Sequence, residues 1–143
     1  LPEFLATISQ EYTKRVLPDF LPEGTKVSFR VWAVSQWAGD FNPIHIHDSN
    51  LSGVCFLKIP PKFDEEYAKE DHHPTAGCLE FIGSVPNHFA RHSFLAKPEI
   101  GDFYIFPSWL THQVYPFRSD GERRSMAFNV HFTMKEPVKG LNV

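Results

Sequence analysis

Three histidines in this sequence have a spacing that could bind a metal ion. His45 and His47 are separated by one residue, and His112 lies far downstream. On a β-strand, residues i and i+2 point to the same face about 6–7 Å apart, so two imidazoles can reach one ion at about 2.1 Å per bond. A His-x-His pair alone is weak support, because histidines are common in strands. Its position strengthens the case, since the pair lies between Asn42-Pro43 and the turn Asp48-Ser49-Asn50, at a predicted strand end.

The last strand-like run, Arg123–Met134, carries a second group of polar side chains. Apolar residues alternate along it with polar or small ones, which predicts that one face packs on a core. The polar face includes Arg123, Ser125 and Asn129, and most of its side chains are short. An exposed strand face normally meets water, but short polar side chains are equally consistent with a wet cavity, and Asn129 could equally be a buried side chain bonded to backbone.

One helix and eight short strands are predicted to position these residues. Apolar residues recur at helical spacing from Phe4 to Val16, and Pro18 ends the pattern. The strands then follow one another with turn residues between them, which predicts an all-β sandwich or jelly roll with the helix on its outside. The strand-like runs are Val27–Trp37, Ile44–His47, Leu51–Ile59, Leu79–Ile82, Phe94–Ala96, Asp102–Phe106, Gln113–Phe117 and Arg123–Met134.

Length and composition predict a single globular domain over residues 1–143, in which residues 1–24 form the flanking helix and a linker. A chain of 143 residues with 42% hydrophobic and 22% charged residues is too apolar to be disordered. An aromatic content of 15% together with 12 prolines favours strands and turns over an all-helical bundle. Because the chain begins at Leu1 rather than at Met, we leave open where the natural protein starts.

Charge and hydropathy argue against two classes of partner, nucleic acids and membranes. The net charge is −3, and residues 61–73 contribute five acids against two lysines, so the rest of the chain is neutral. No stripe of Lys and Arg is available to follow a phosphate backbone, which argues against nucleic-acid binding. No apolar run approaches the roughly 20 residues that span a bilayer, so we predict a cytoplasmic protein. The acidic stretch 61–73 is either a surface loop or a lid over a site, and the sequence leaves both open.

Several groups of residues resemble known motifs, and they occur along the chain in the order in which the motifs occur. Gly39 with His45-x-His47, and Gly101 with Pro107 and His112, are similar to the two metal-binding motifs of cupin-like double-stranded β-helix proteins. More closely, blocks over residues 37–130 resemble the 2-oxoglutarate/Fe(II)-dependent oxygenase family of bacteria and phages. Those blocks are Trp37-Ala38, His45-x-His47, Leu51-Ser52-Gly53-Val54, Gly101-Asp102, Phe106-Pro107-Ser108-Trp109-Leu110, His112 and Glu122-Arg123-x-Ser125-x-Ala127-Phe128-Asn129.

The resemblance implies a jelly-roll enzyme that hydroxylates its substrate, located in the cytoplasm of a bacterial or phage-infected cell. It implies Fe(II) bound by His45, His47 and His112, with 2-oxoglutarate and oxygen as small-molecule cosubstrates. Arg123 matches the family arginine that receives the distal carboxylate of 2-oxoglutarate, and a guanidinium fork suits that role. Ser125 and Asn129 share its face as further cosubstrate contacts, whereas Arg124 falls on the opposite face.

The sequence departs from the family pattern at the second ligand. The wider superfamily has Asp or Glu two residues after the first histidine, where this chain has His47. Asp48 could replace it, but strand alternation points Asp48 away from His45, which favours three histidines. Two alternatives therefore stay open: a cupin-type three-histidine metalloenzyme that does not use 2-oxoglutarate, and a jelly roll that binds a metal or ligand without turnover.

Overall fold

Two helices and eight strands make up the ordered elements of the computed structural model. It describes residues 1–19, 21–22, 24–69, 74–83, 88–89 and 91–134. No helix in these ranges is long and apolar enough to cross a membrane. The elements are α1 (Pro2–Val16), β1 (Lys26–Gln36), β2 (Asn42–His45), β3 (Leu51–Lys58), α2 (Phe63–Lys69), β4 (Leu79–Ile82), β5 (Ser93–Ala96), β6 (Phe103–Pro107), β7 (Thr111–Val114) and β8 (Arg123–Thr133).

The strands form two four-stranded antiparallel sheets, which confirms the predicted all-β jelly roll. One sheet has the order β1-β8-β3-β6 and the other has the order β2-β7-β4-β5. Most strand bounds lie within two residues of the prediction, but two strands end two or more residues early. The second strand ends at His45 instead of His47, and β7 ends at Val114 instead of Phe117. Pro116 has no amide hydrogen for a ladder bond, which explains the earlier end of β7.

Helix α1 packs on the outer face of the first sheet, as predicted. Leu5 is buried with Leu51, Phe128 and Val130, and partly buried residues of the helix join the same cluster. The buried face differs from the predicted one, because Phe4 and Val16 at its edges are about half exposed. Two small polar residues, Ser9 and Thr13, are buried there instead.

The alternation along β8 separates two environments. Its even positions Phe128 and Val130 are fully buried under α1. Its odd positions Arg123, Ser125 and Ala127 face the space between the sheets and line a cavity. The polar face from Arg123 to Ala127 therefore faces a cavity, one of the two environments that the sequence left open.

A second apolar cluster fills the space between the two sheets. It joins Phe56 of β3 and Phe106 of β6 in the first sheet to Leu79, Phe81, Ala96 and Val114 in the second. The cavity shares four of its lining residues with this cluster or its edge, so the cluster forms the apolar wall of the cavity. The four are Val54, Leu79, Phe106 and Val114.

The acidic stretch begins as a helix rather than a loop. Helix α2 buries Phe63 against Ala76 and Phe117. The Glu66 carboxylate accepts hydrogen bonds from the backbone amides of Arg118 and Ser119, both at 2.7 Å, and from the Ser119 hydroxyl. Burial alone would raise the pKa of Glu66, but these hydrogen bonds outweigh it and lower the pKa. The part up to residue 69 is thus anchored to the domain, while residues 70–73 lie outside the described ranges.

Gly53 of β3 makes room for an aromatic ring across the strand pair. A Cβ at this position would lie 2.2 Å from Cζ of Phe128 and 2.7 Å from the Tyr104 carbonyl oxygen. We therefore expect Gly53→Ala to lower the free energy of unfolding by about 1–3 kcal/mol, because the ring or the backbone must move. Urea denaturation measures this. Gly83→Ala is the matched control, since its nearest atom would be 3.9 Å away, and equal stability of the two variants would contradict the close packing.

Candidate metal centre

The second sheet and the turn beyond it bring three histidines together. His45 is the last residue of β2, and it lies directly opposite His112 of β7 in the strand register. His47 lies two residues beyond the end of β2. Its backbone amide donates to the Ser108 carbonyl at 3.0 Å, which draws this segment back towards the other two histidines.

The geometry of the three side chains fits one metal ion. One ring nitrogen from each of His45, His47 and His112 can be chosen so that all three lie within 4.8 Å of one another. The Nε2 atoms of His47 and His112 are 3.2 Å apart. An ion bonded to both at about 2.1 Å would subtend an angle of about 100° between them, which lies between octahedral and tetrahedral values.

Backbone carbonyls orient two of the rings. His45 Nδ1 lies 2.7 Å from the Pro43 carbonyl oxygen, and His112 Nδ1 lies 2.8 Å from the Leu110 carbonyl oxygen. A carbonyl only accepts, so each Nδ1 carries the hydrogen and each neutral ring keeps its Nε2 lone pair. This is the arrangement in which metal-binding histidines are commonly held.

Burial favours the neutral form of two of these imidazoles, those of His112 and His47. The pKa of His112 is lowered to about 4, chiefly by burial, against the opposing hydrogen bond to Leu110 and with a smaller contribution from His45 and His47. The pKa of His47 is also lowered, first by burial and then by His45. A metal competes with protons for imidazole nitrogen, so neutral rings near pH 7 suit a divalent ion.

Asp48 does not join this cluster, because its side chain is exposed and belongs to no group of converging ligands in the described part of the chain.

Behind His47, hydroxyl groups connect the turn to the first sheet. Ser108 bonds both Ser49 and Ser52, and Ser52 donates to Asn129 Oδ1 at 2.9 Å. Asn129 is engaged in this network and does not line the cavity, so the structure does not bring it to the predicted cosubstrate position.

The cavity beside the histidines has a volume of about 70 Å³, room for on the order of five water molecules. Its walls are mostly apolar, and its polar lining comes from a few convergent side chains. Those polar residues are Asn42, His45, His47, His112, Arg123 and Ser125.

Arg123 is the most unusual of these side chains, because it is charged and only 1% exposed. Burial lowers its pKa to about 10, so it remains protonated near pH 7. Its Cζ lies 4.9 Å from the centre of the Phe56 ring, and its buried Nε has no hydrogen-bond partner. Among the described residues, no carboxylate pairs with it. A buried guanidinium with an unused donor fits an incoming carboxylate.

Gln36 was not identified from the sequence as part of this site. It is 4% exposed, and its Oε1 accepts a hydrogen bond from Arg123 Nη1 at 2.6 Å. Alternation along β1 puts it on the same face as Trp32 and Val34, which line the cavity. That alternation was the available signal, but the pairing of β1 with β8 that sets Gln36 opposite Arg123 required the structure.

Comparisons with known proteins agree with this geometry. A family model described as "Putative 2OG-Fe(II) oxygenase" matches residues 30–129. A Pseudomonas putida prolyl-4-hydroxylase superposes with a TM-score of 0.56 at 19% identity, covering 90% of this chain and 63% of that one. A 2OG-Fe(II) oxygenase family oxidoreductase from Burkholderia pseudomallei gives 0.55 at 17% identity, covering 82% and 50%. No match was found among curated proteins.

The two solved structures show the fold, and this chain spans 63% and 50% of their lengths. The family match goes further, because residues 30–129 are most of the chain. The matched range includes all three converging histidines, the buried arginine and the strands that position them. This chain therefore belongs to the 2OG-Fe(II) oxygenase family.

Proposed function

We propose that this chain binds Fe(II) and 2-oxoglutarate and couples their reaction with oxygen to the oxidation of a further substrate. The observation that carries the proposal is one cavity with two complementary groups. Three imidazoles converge on its wall, and Arg123 supplies a buried positive charge that no carboxylate of the described residues pairs with. A metal ion and a dicarboxylate would satisfy both groups together.

The residues of the chain divide the work of binding. The histidines would hold the metal through nitrogen, and Arg123 would hold the far carboxylate of 2-oxoglutarate, with Ser125 beside it on the same face. When bound, iron and 2-oxoglutarate supply the oxidising chemistry: one atom of O₂ enters succinate, formed with CO₂, and the other enters a C–H bond of the substrate. The apolar walls limit the water around the reacting groups.

Three histidines in place of two histidines and a carboxylate change the charge of the site. Neutral ligands leave the full charge of a divalent ion uncompensated, one unit more positive than with a carboxylate ligand. Together with Arg123, this favours a dianion such as 2-oxoglutarate. The substrate itself stays unidentified. Two further statements stay predictions: that the protein is located in the cytoplasm of a bacterial or phage-infected cell, and that it does not bind nucleic acid.

An anaerobic titration tests the proposal directly. Fe(II)-loaded protein is titrated with 2-oxoglutarate while the metal-to-ligand charge-transfer absorbance of a chelated 2-oxo acid is followed. We expect a saturable band in the parent protein and none when Fe(II) is omitted. Metal binding without any such band would instead favour the cupin-type enzyme that does not use 2-oxoglutarate, whose three-histidine donor set suits several divalent ions.

A further inference from the structure

We infer that Gln36 is a positioning residue that makes the site selective for a dicarboxylic 2-oxo acid, by holding the Arg123 guanidinium with a neutral acceptor. This inference rests on the proposed function. The inference adds a residue to the proposed function and gives a physical basis for the choice of cosubstrate. The key feature is that the partner of the buried arginine is an amide rather than an acid.

The strand pairing places Gln36 and Arg123 side by side. Gln36 is the last residue of β1, and Arg123, the first residue of β8, is its partner in the antiparallel register. Both side chains are almost fully buried, at 4% and 1% exposure. The 2.6 Å hydrogen bond between them is therefore shielded from competing water.

The chemistry of the partners determines which way the Gln36 amide points. A guanidinium has only donors, so Arg123 must face the amide oxygen. The amide nitrogen then points towards Asn42 Oδ1, at a long distance of 3.5 Å. Phe56 lies against Cζ of the same guanidinium, which fixes a second side. Neutral groups thus orient the guanidinium, and its Nε is left without a partner.

A neutral partner leaves the charge of Arg123 available. A carboxylate at position 36 would form a buried ion pair with Arg123, and an incoming carboxylate would have to compete with it. No carboxylate of the described residues pairs with this guanidinium. The distal carboxylate of 2-oxoglutarate would therefore meet an uncompensated positive charge, whereas a 2-oxo acid without that carboxylate gains nothing from it.

Gln36→Glu tests this with a substitution of nearly equal size. We expect it to weaken 2-oxoglutarate binding by at least about tenfold, because an internal carboxylate now occupies the guanidinium. Binding of 2-oxobutanoate, which chelates a metal but has no distal carboxylate, should change by less than about twofold, since it makes no use of Arg123. Affinities are measured anaerobically by the charge-transfer band and by calorimetry on Fe(II)-loaded protein.

Two further variants keep the test decisive. Ala33→Glu adds the same charge to an exposed position of the same strand, and both affinities should stay at the parent values. Gln36→Met removes the acceptor without adding charge, so it should weaken 2-oxoglutarate binding less than Gln36→Glu does. If the buried glutamate prevents folding of Gln36→Glu, the Gln36→Met variant is measured in its place. Weaker binding of 2-oxoglutarate, with unchanged binding of 2-oxobutanoate, would then support the inference.

The outcomes separate this inference from the proposed function. If Gln36→Glu binds 2-oxoglutarate as tightly as the parent protein does, the role of Gln36 is overturned while the proposed function stands. The same holds for Gln36→Met if only that variant folds. An equal loss for 2-oxoglutarate and 2-oxobutanoate would also overturn it, because general damage to the site weakens both. Absence of 2-oxoglutarate binding in the parent protein would remove the proposed function and this inference together.

Discussion

Replacing His112 with alanine is expected to weaken Fe(II) binding by at least about tenfold, because two imidazoles then remain where three had converged. His112 is 4% exposed, and its Nε2 lies 3.2 Å from that of His47. His45→Ala and His47→Ala should give losses of the same order, and calorimetric titration with Fe(II) under anaerobic conditions measures all three.

Asp48→Ala is the control for this series. Asp48 is adjacent to His47 in sequence, but its side chain is exposed and outside the histidine cluster. We expect its removal to change Fe(II) affinity much less than the loss of a histidine. If Asp48→Ala abolished binding while His47→Ala did not, the three-histidine assignment would be wrong and the ligand set would be two histidines with a carboxylate.

The second large effect is expected at Arg123. Arg123→Ala should weaken 2-oxoglutarate binding by about 100-fold or more, since each charge-assisted hydrogen bond contributes about 1.5–3 kcal/mol and the distal carboxylate would be left desolvated. Fe(II) affinity should change little, because Arg123 is not one of the converging ligands. The charge-transfer titration measures the first quantity and metal calorimetry measures the second.

Controls address the burial of this arginine. Arg123 is among the largest fully buried side chains, so thermal unfolding of Arg123→Ala establishes whether the variant is folded. Arg123→Lys should restore part of the affinity, because an ammonium keeps the charge but not the fork. Arg124→Ala should stay within a few-fold of the parent, since Arg124 is exposed and pairs with Glu122 outside the cavity. Equal 2-oxoglutarate affinity in Arg123→Ala and Arg124→Ala would contradict the proposed role.

The sequence by itself determined the fold class, the helix on the outer face and the residues that form the candidate metal centre. The fold class and the position of the helix were confirmed because they depend on periodic patterns along the chain, whereas the metal-ligand assignment stays a prediction. Alternation along β8 separates Phe128, under the helix, from Arg123, in the cavity. The spacing of His45 and His47, with His112 far downstream, was enough to propose one ligand set. The resemblance to a known family supplied the cosubstrate and the role of Arg123.

Only the tertiary structure decided which residues meet across strands. Gln36 and Arg123 are 87 residues apart in the sequence, and their contact exists because β1 pairs with β8 in one register. His47 lies beyond the end of β2, and it reaches the site because the Ser108 carbonyl binds its amide. Asn129 has the right face but is held by Ser52. A residue's local pattern determines the face it occupies, whereas its partner depends on strand register and on hydrogen bonds between segments that are distant in the chain.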